Sequence, residues 1–99
     1  MQTNIILINF TEQGAKDVKK FRERYDLMAK AIESAGGKIK GFYATMGPYD
    51  MVMIVEGLSD EEGMRLLLMY AMLGTGRTIT MRAFPLAAVS YTHLRAHET

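Results

Sequence analysis

The chain contains no cysteine and no tryptophan, and its two histidines, His93 and His97, both lie in the last seven residues. Without cysteine it has no disulfide, thiolate nucleophile or cysteine metal site, which is typical of the reducing cytoplasm where we expect this protein. No apolar run is long enough to cross a bilayer, and the first residues lack the pattern of a signal peptide. The formal net charge is only +1, so we expect neither nucleic-acid nor membrane binding.

The spacing of His93 and His97 is that of two ligands on one helical face. They lie in a tail, residues 90–99, that resembles a translated adapter or vector sequence, so we interpret the pair as incidental and expect no native metal site. The remaining domain, residues 1–89, has neither histidine nor cysteine. This argues against histidine-ligated haem, zinc catalysis and Ser-His-Asp triads. It also lacks a glycine-rich nucleotide-binding pattern, and we therefore expect no cofactor.

The 99 residues, of which 48% are hydrophobic and 23% charged, have the size and composition of one globular domain. The apolar pattern predicts strands at 3–10, 38–45, 50–56 and 78–84. It predicts helices at 15–35 and 60–73. The strand at 50–56 is apolar at five consecutive positions, so we expect it to be buried on both faces.

Each predicted helix has one apolar stripe that would face the sheet. In the first helix the stripe consists of Val18, Phe21, Tyr25, Met28 and Ile32. In the second helix it consists of Met64, Leu67, Leu68 and Ala71. Thr11 suits the N-cap of the first helix, and Ser59 with Glu62 forms a capping box before the second.

Alternation along the second strand predicts that Ile39 and Tyr43 share one face, and that Phe42 and Ala44 share the other. Two lysines in this strand and two arginines beside or within the last strand are typical of sheet edges. The first and third strands are more apolar, so we expect them at the centre of the sheet.

The element order βαββαβ indicates an α+β, ferredoxin-like fold, a four-stranded antiparallel sheet with two helices on one face. Two helices cover only one face of a sheet, yet the third strand has apolar side chains on both, with Val52 opposite Met51 and Met53. Soluble monomers rarely expose so large an apolar surface. We therefore predict a homodimer in which two sheets pack face to face and close an α+β barrel. The alternative is a monomer whose C-terminal tail covers the second face.

The hairpin before the third strand reads Gly47-Pro48-Tyr49-Asp50, and residues 77–85 follow the second helix as an alternating strand that ends in proline. These features resemble the GYD domain family, named for a Gly-x-Tyr-Asp signature that Gly47, Tyr49 and Asp50 would carry here. The resemblance covers residues 3–88 and implies a dimeric α+β barrel without an established activity. Pro48 stands where the family often has an acidic residue, which alters the turn only slightly.

Asp50 and Tyr49 are the candidates for proton transfer, because Asp50 lies where the hairpin enters a buried strand, near the rim of the predicted barrel. The simpler interpretation is that Asp50 caps the turn by binding a backbone amide or pairs with an arginine, and that Tyr49 packs as an aromatic ring with its hydroxyl at the surface.

Two functions are the main hypotheses, and a third possibility is a structural assembly module that forms a dimer and binds no ligand. The first is a non-enzymatic dimeric module that binds a small, partly apolar molecule between sheet and helices. Its candidate ligand-binding residues are Tyr43, Tyr49, Asp50, Met51, Met53 and Met81. Methionine-lined surfaces adapt to irregular apolar ligands, which is why the three methionines are included. The second is a cofactor-independent enzyme, because the fold also resembles small monooxygenases and isomerases.

Overall fold

A computed structural model of the chain describes residues 2–89. The sheet consists of β1 (Thr3–Phe10), β2 (Lys38–Ala44), β3 (Met51–Glu56) and β4 (Gly76–Ala83). The helices are α1 (Glu12–Lys16), α2 (Phe21–Ser34) and α3 (Asp60–Leu73), with short 3₁₀ turns at Val18–Lys20 and Leu86–Ala88. The predictions for residues 90–99, including His93 and His97, lie outside the described residues. In the described part of the chain no helix is long and apolar enough to cross a membrane.

The four strands form one antiparallel sheet in the order β2-β3-β1-β4. Both helical layers lie on the same face, so the predicted ferredoxin-like α+β arrangement is confirmed, with β1 and β3 central and β2 and β4 at the edges. The opposite face, which we call the open face, carries Tyr43, Val52, Leu7 and Ile79 in one cross-strand row. The homodimer that would cover this face stays a prediction.

The first predicted helix is interrupted. Thr11 is its N-cap as predicted, with Oγ1 accepting a hydrogen bond of 3.2 Å from the amide of Gly14. At Asp17 the backbone leaves helical geometry, and α2 begins only at Phe21. The predicted stripe is therefore wrong at Val18, whose side chain is exposed. The break has a physical reason: Gly14 presses against the backbone of Thr75, which fixes α1 at the start of β4 while α2 crosses the sheet.

A β-bulge in β2 overturns the predicted facing of that strand. Ile39 lies opposite Val55, but Gly41 lies opposite Ile54, so β2 has one extra residue between them. Ile39 and Phe42 consequently share the core face, and Tyr43 lies on the open face. Simple alternation had placed Ile39 with Tyr43, which is wrong because the bulge reverses the phase.

The buried face of α3 is one residue out of phase with the predicted stripe. Ser59 caps the helix as predicted, accepting a hydrogen bond of 3.1 Å from the amide of Glu62. Leu66 is buried and Leu67 is half-buried, whereas Met64, Leu68 and Ala71 are exposed. The helix is apolar around most of its circumference, so periodicity alone does not determine which side faces the sheet.

The hydrophobic core lies between the helices and the sheet. Its buried residues are Ile32, Met53, Val55, Leu58 and Leu66. They connect α2 to α3 over the centre of β3. Leu58, which belongs to this cluster, lies two residues before the start of α3. The burial of β3 is one-sided in the single chain, because Met51, Met53 and Val55 are buried while Val52 and Ile54 are not.

Candidate functional site

A cavity of about 80 Å³ lies between the helix layer and the sheet. Ile6, Ile8, Met51 and Met53 line it from the sheet, and side chains of α2 and α3 line it from above. The wall is mostly apolar, with a few polar groups at defined positions, which is the usual character of a small-molecule site.

A row of aromatic rings forms one wall of the cavity. The rings of Tyr25 and Phe42 are stacked with centroids 5.0 Å apart, and Phe21 stacks on Phe42 at 5.8 Å. Phe10 meets Phe21 edge to face at 6.4 Å. Stacked rings of this kind have little rotational freedom and give the cavity a firm side.

Arg24 is the only charged side chain among the described residues that line the cavity. Its Nη1 donates a hydrogen bond of 3.1 Å to the backbone carbonyl of Asp17. Its Nη2 is buried and meets no hydrogen-bond acceptor within residues 2–89. One side of a guanidinium is thus held by the backbone, and the other is free to bind.

Tyr70 of α3 also lines the cavity, and its hydroxyl lies over Gly76 at the start of β4. Burial raises the pKa of Tyr70 above its ordinary value of 10.0, opposed by the nearby Thr75 hydroxyl and the positive charge of Arg24. Thr75 is buried, but its hydroxyl does not reach Tyr70 at hydrogen-bond geometry and has no partner within residues 2–89. Tyr70 is therefore a neutral donor near neutral pH, beside a second hydroxyl that is free.

Asp50 lies outside this cavity, at the end of the β2–β3 loop. Its carboxylate accepts a hydrogen bond of 2.8 Å from the amide of Phe10. Its own amide donates to the carbonyl of Ile8 at 2.9 Å and to Oδ1 of Asn9 at 3.1 Å. Asp50 thus binds a backbone amide, but the amide belongs to Phe10 of β1 and not to the turn itself. A role of Asp50 in proton transfer stays a prediction.

The structure separates the other predicted site residues. Met51 and Met53 lie in the cavity, whereas Tyr43 and Met81 lie on the open face. Tyr49 lines a more open groove with Leu7, Asn9, Arg77, Thr78 and Ile79. Among residues 2–89 no cluster of three or more acidic residues, histidines or cysteines is placed to hold a metal ion.

Arg24, Tyr70 and Thr75 were not singled out from the sequence. A signal for Arg24 was present, because it follows Phe21 by three residues and precedes Met28 by four, inside the apolar stripe of the helix. Tyr70 stands likewise four residues after Leu66. Charged and phenolic groups on a buried face are candidates for a binding site.

Comparison with models of known families identifies the family of the chain. The model of the GYD domain matches residues 5–91. The chain belongs to the GYD domain family. The signature has a structural reading in this GYD domain: Gly47 adopts a φ of 108°, which side chains other than glycine rarely allow, and Asp50 ties the loop to the end of β1. Tyr49 of the signature contributes its carbonyl, which accepts a hydrogen bond of 2.6 Å from Thr45 Oγ1.

The GYD domain has a relative in Thermus thermophilus that is named a glutamine synthetase and cystathionine beta-lyase binding protein. The two sequences are 34% identical over 88 residues, covering 88% of this chain and 93% of the relative.

Solved structures share its fold. A protein from Thermus thermophilus is 25% identical with a TM-score of 0.52, covering 86% of this chain and 95% of that one. The protein called FFRP-DM1 is 23% identical with a TM-score of 0.57, covering 85% and 100% respectively. A hypothetical protein from Pyrococcus horikoshii is 20% identical with a TM-score of 0.52, covering 92% and 100%. The last two likenesses show the fold alone.

Proposed function

We propose that this GYD domain is a homodimeric module that binds a small, partly apolar molecule in the cavity between its helices and its sheet. The observation that carries the proposal is the cavity itself, with an apolar wall contributed by α2, α3 and three strands of the sheet and with polar groups at few positions. Such a combination gives affinity through the wall and orientation through the polar groups.

The open face supports the dimer. Ile79 and Tyr43, at the two ends of the cross-strand row, are 50% and 58% exposed in the single chain. Met81 extends the apolar surface along β4. A second copy packing its own open face here would bury both surfaces in one symmetric contact and close the barrel.

Native mass spectrometry of the full chain, purified without refolding, tests both parts. A dimer that carries additional non-covalent mass supports the proposal and provides the ligand for identification. A dimer without additional mass supports the interface and argues against a tightly bound ligand. A monomer contradicts the sheet-to-sheet contact.

A second candidate function is binding to a metabolic enzyme, which the name of the Thermus thermophilus relative suggests. The outer side of α3 offers a suitable surface, because Met64, Leu68 and Met72 follow one another at intervals of four residues and are 55%, 59% and 86% exposed. Exposed methionines adapt to partner surfaces.

Pull-down with purified glutamine synthetase and cystathionine beta-lyase tests this second candidate. Binding that is lost in Leu68→Lys and kept in Ile79→Lys would assign the contact to α3. Binding of neither enzyme to the unaltered chain would contradict the candidate.

A further inference from the structure

The charge at the cavity is unbalanced. None of the four salt bridges found within residues 2–89 includes Arg24. The other described lining residues supply no carboxylate. Arg24 thus brings a positive charge to an apolar cavity with nothing of opposite sign beside it.

The unpartnered Nη2 of Arg24 lowers the stability of the ligand-free protein. A buried N–H group without an acceptor costs free energy, and the cost is larger when the group is charged. Proteins keep such a group mainly where a ligand or an ordered water supplies the missing acceptor. The polar side chains that line the cavity besides Arg24 include Asn4, Tyr70, Thr78 and Thr80, and the hydroxyl of Tyr70, whose pKa is influenced by the charge of Arg24, can donate as well.

We propose that the cavity binds a short-chain monocarboxylate, with the carboxylate accepting hydrogen bonds from Arg24 Nη2 and the Tyr70 hydroxyl and the apolar chain lying against Met51 and Met53. This inference rests on the proposed function, because it names the ligand class of the same cavity. Thr75 provides a second hydroxyl near Tyr70, and this hydroxyl has no hydrogen-bond partner within residues 2–89.

The shape and polarity of the site favour a carboxylate over other anions. A guanidinium and a neighbouring hydroxyl can serve the two oxygens of a carboxylate, each with its own donor. A phosphate would bring a further negatively charged oxygen into the cavity, where no described lining residue other than Arg24 is a cation. A volume of about 80 Å³ has room for roughly three water-sized groups, which limits the apolar chain to a few atoms.

Isothermal titration of the full chain with propanoate, butanoate and pentanoate, each beside its neutral amide, tests the proposal. The three probes differ in chain size, and each amide keeps the shape of its acid while removing the charge. We expect at least one acid to bind with a dissociation constant on the order of 1 mM or tighter. Its amide should bind about tenfold more weakly or worse, because the charge-assisted bonds are lost.

Variants connect the effect to named side chains. Arg24→Gln should weaken binding of the acid about tenfold and binding of the amide much less, because the amide has a hydrogen bond to lose but no ion pair; Arg24→Lys should weaken the acid less than Arg24→Gln does. Tyr70→Phe should weaken it several-fold by removing one donor. Arg22→Gln is the matched control, since Arg22 lies on the same helix with its side chain 86% exposed, and its affinity should equal that of the unaltered chain. Thermal unfolding of each variant separates loss of binding from loss of folding.

The outcomes are distinguishable. Acids and amides that bind equally well would overturn the carboxylate inference and leave the apolar binding module standing. An acid whose affinity is insensitive to Arg24→Gln would overturn the assigned site. If no acid and no amide binds, the carboxylate inference fails, and a native mass spectrum without additional mass would show that the proposed module fails with it.

Discussion

The side chain of Asp50 accepts a hydrogen bond of 2.8 Å from the backbone amide of Phe10, forty positions earlier in the chain. The bond joins the last residue of β1 to the loop that enters β3. A second bond joins the same two segments, because the amide of Asp50 donates to the carbonyl of Ile8. The acidic residue of the family signature thereby fastens the β2–β3 loop to the central strand.

Replacing Asp50 should reduce the stability of the folded domain, whether or not Asp50 also takes part in a reaction. Asp50→Ala removes the acceptor for Phe10, and we expect it to lower the free energy of unfolding by about 1 to 2 kcal/mol in urea denaturation. Asp50→Asn keeps a carbonyl oxygen and should cost less. Asp26→Ala is the control, because its exposed carboxylate lies 3.9 Å from Arg22 and should contribute close to nothing. An Asp50→Ala protein as stable as the unaltered chain would show that this carboxylate is free for another role.

Two helical glycines should respond in opposite directions to alanine. In Gly14→Ala the new Cβ would lie 2.9 Å from the carbonyl carbon of Thr75 and closer still to its oxygen, so α1 or β4 must move. We expect a loss of at least about 2 kcal/mol in chemical denaturation. Gly63→Ala meets no atom within 4 Å and should instead stabilise α3 by roughly 0.5 to 1 kcal/mol. Equal effects at the two positions would contradict the close packing of α1 on β4.

A charge on the open face should separate the proposed dimer. Ile79 lies beside Leu7 in the cross-strand row of the open face. Ile79→Lys would place a charge inside the contact, and light scattering after size-exclusion chromatography should then give the monomer mass. Leu68→Lys, on the outer side of α3, is the control and should remain dimeric. Retention of the dimer by Ile79→Lys would place the interface elsewhere.

Tyr70 makes stability depend on pH in the alkaline range. Its pKa is raised in the folded chain, so the unfolded chain releases the proton first, at about pH 10.0. Above that pH the unfolded state binds fewer protons, and the stabilising contribution, complete below it, is lost as the pH rises through the folded pKa. Tyr70→Phe should flatten this part of the profile. The measurement is urea denaturation at about pH 8 and about pH 11, compared between the two proteins, and parallel profiles would count against burial of the phenol.

Much of the fold could be predicted from local pattern. The bounds of β1 and α3, the caps at Thr11 and Ser59 and the placement of edge and central strands follow from residue types within a few positions of each other. The sheet order follows because few arrangements accommodate βαββαβ with antiparallel neighbours.

What could not be predicted depends on contacts between distant residues. The break before α2 requires Thr75 to lie against Gly14, sixty-one positions away, and periodicity contains no trace of it. The bulge next to Lys40 changes the phase of a strand without changing its composition. The site could not be predicted for the same reason, because Arg24 and Tyr70 line one cavity only after α2 and α3 have packed over the sheet.

The hydrogen bonds between Thr11 and the segment after α3 have a consequence for folding during synthesis. Thr11 Oγ1 donates to the carbonyl of Gly74 at 2.6 Å, and the Thr11 amide donates to Thr75. The central strand β1 precedes both of the strands with which it pairs, β3 and β4. Contacts of such high sequence separation slow folding, because a long loop must close before they form. During synthesis one edge of β1 therefore stays unpaired until β3 has emerged and the other edge until β4 follows, and an unpaired strand edge is prone to aggregation.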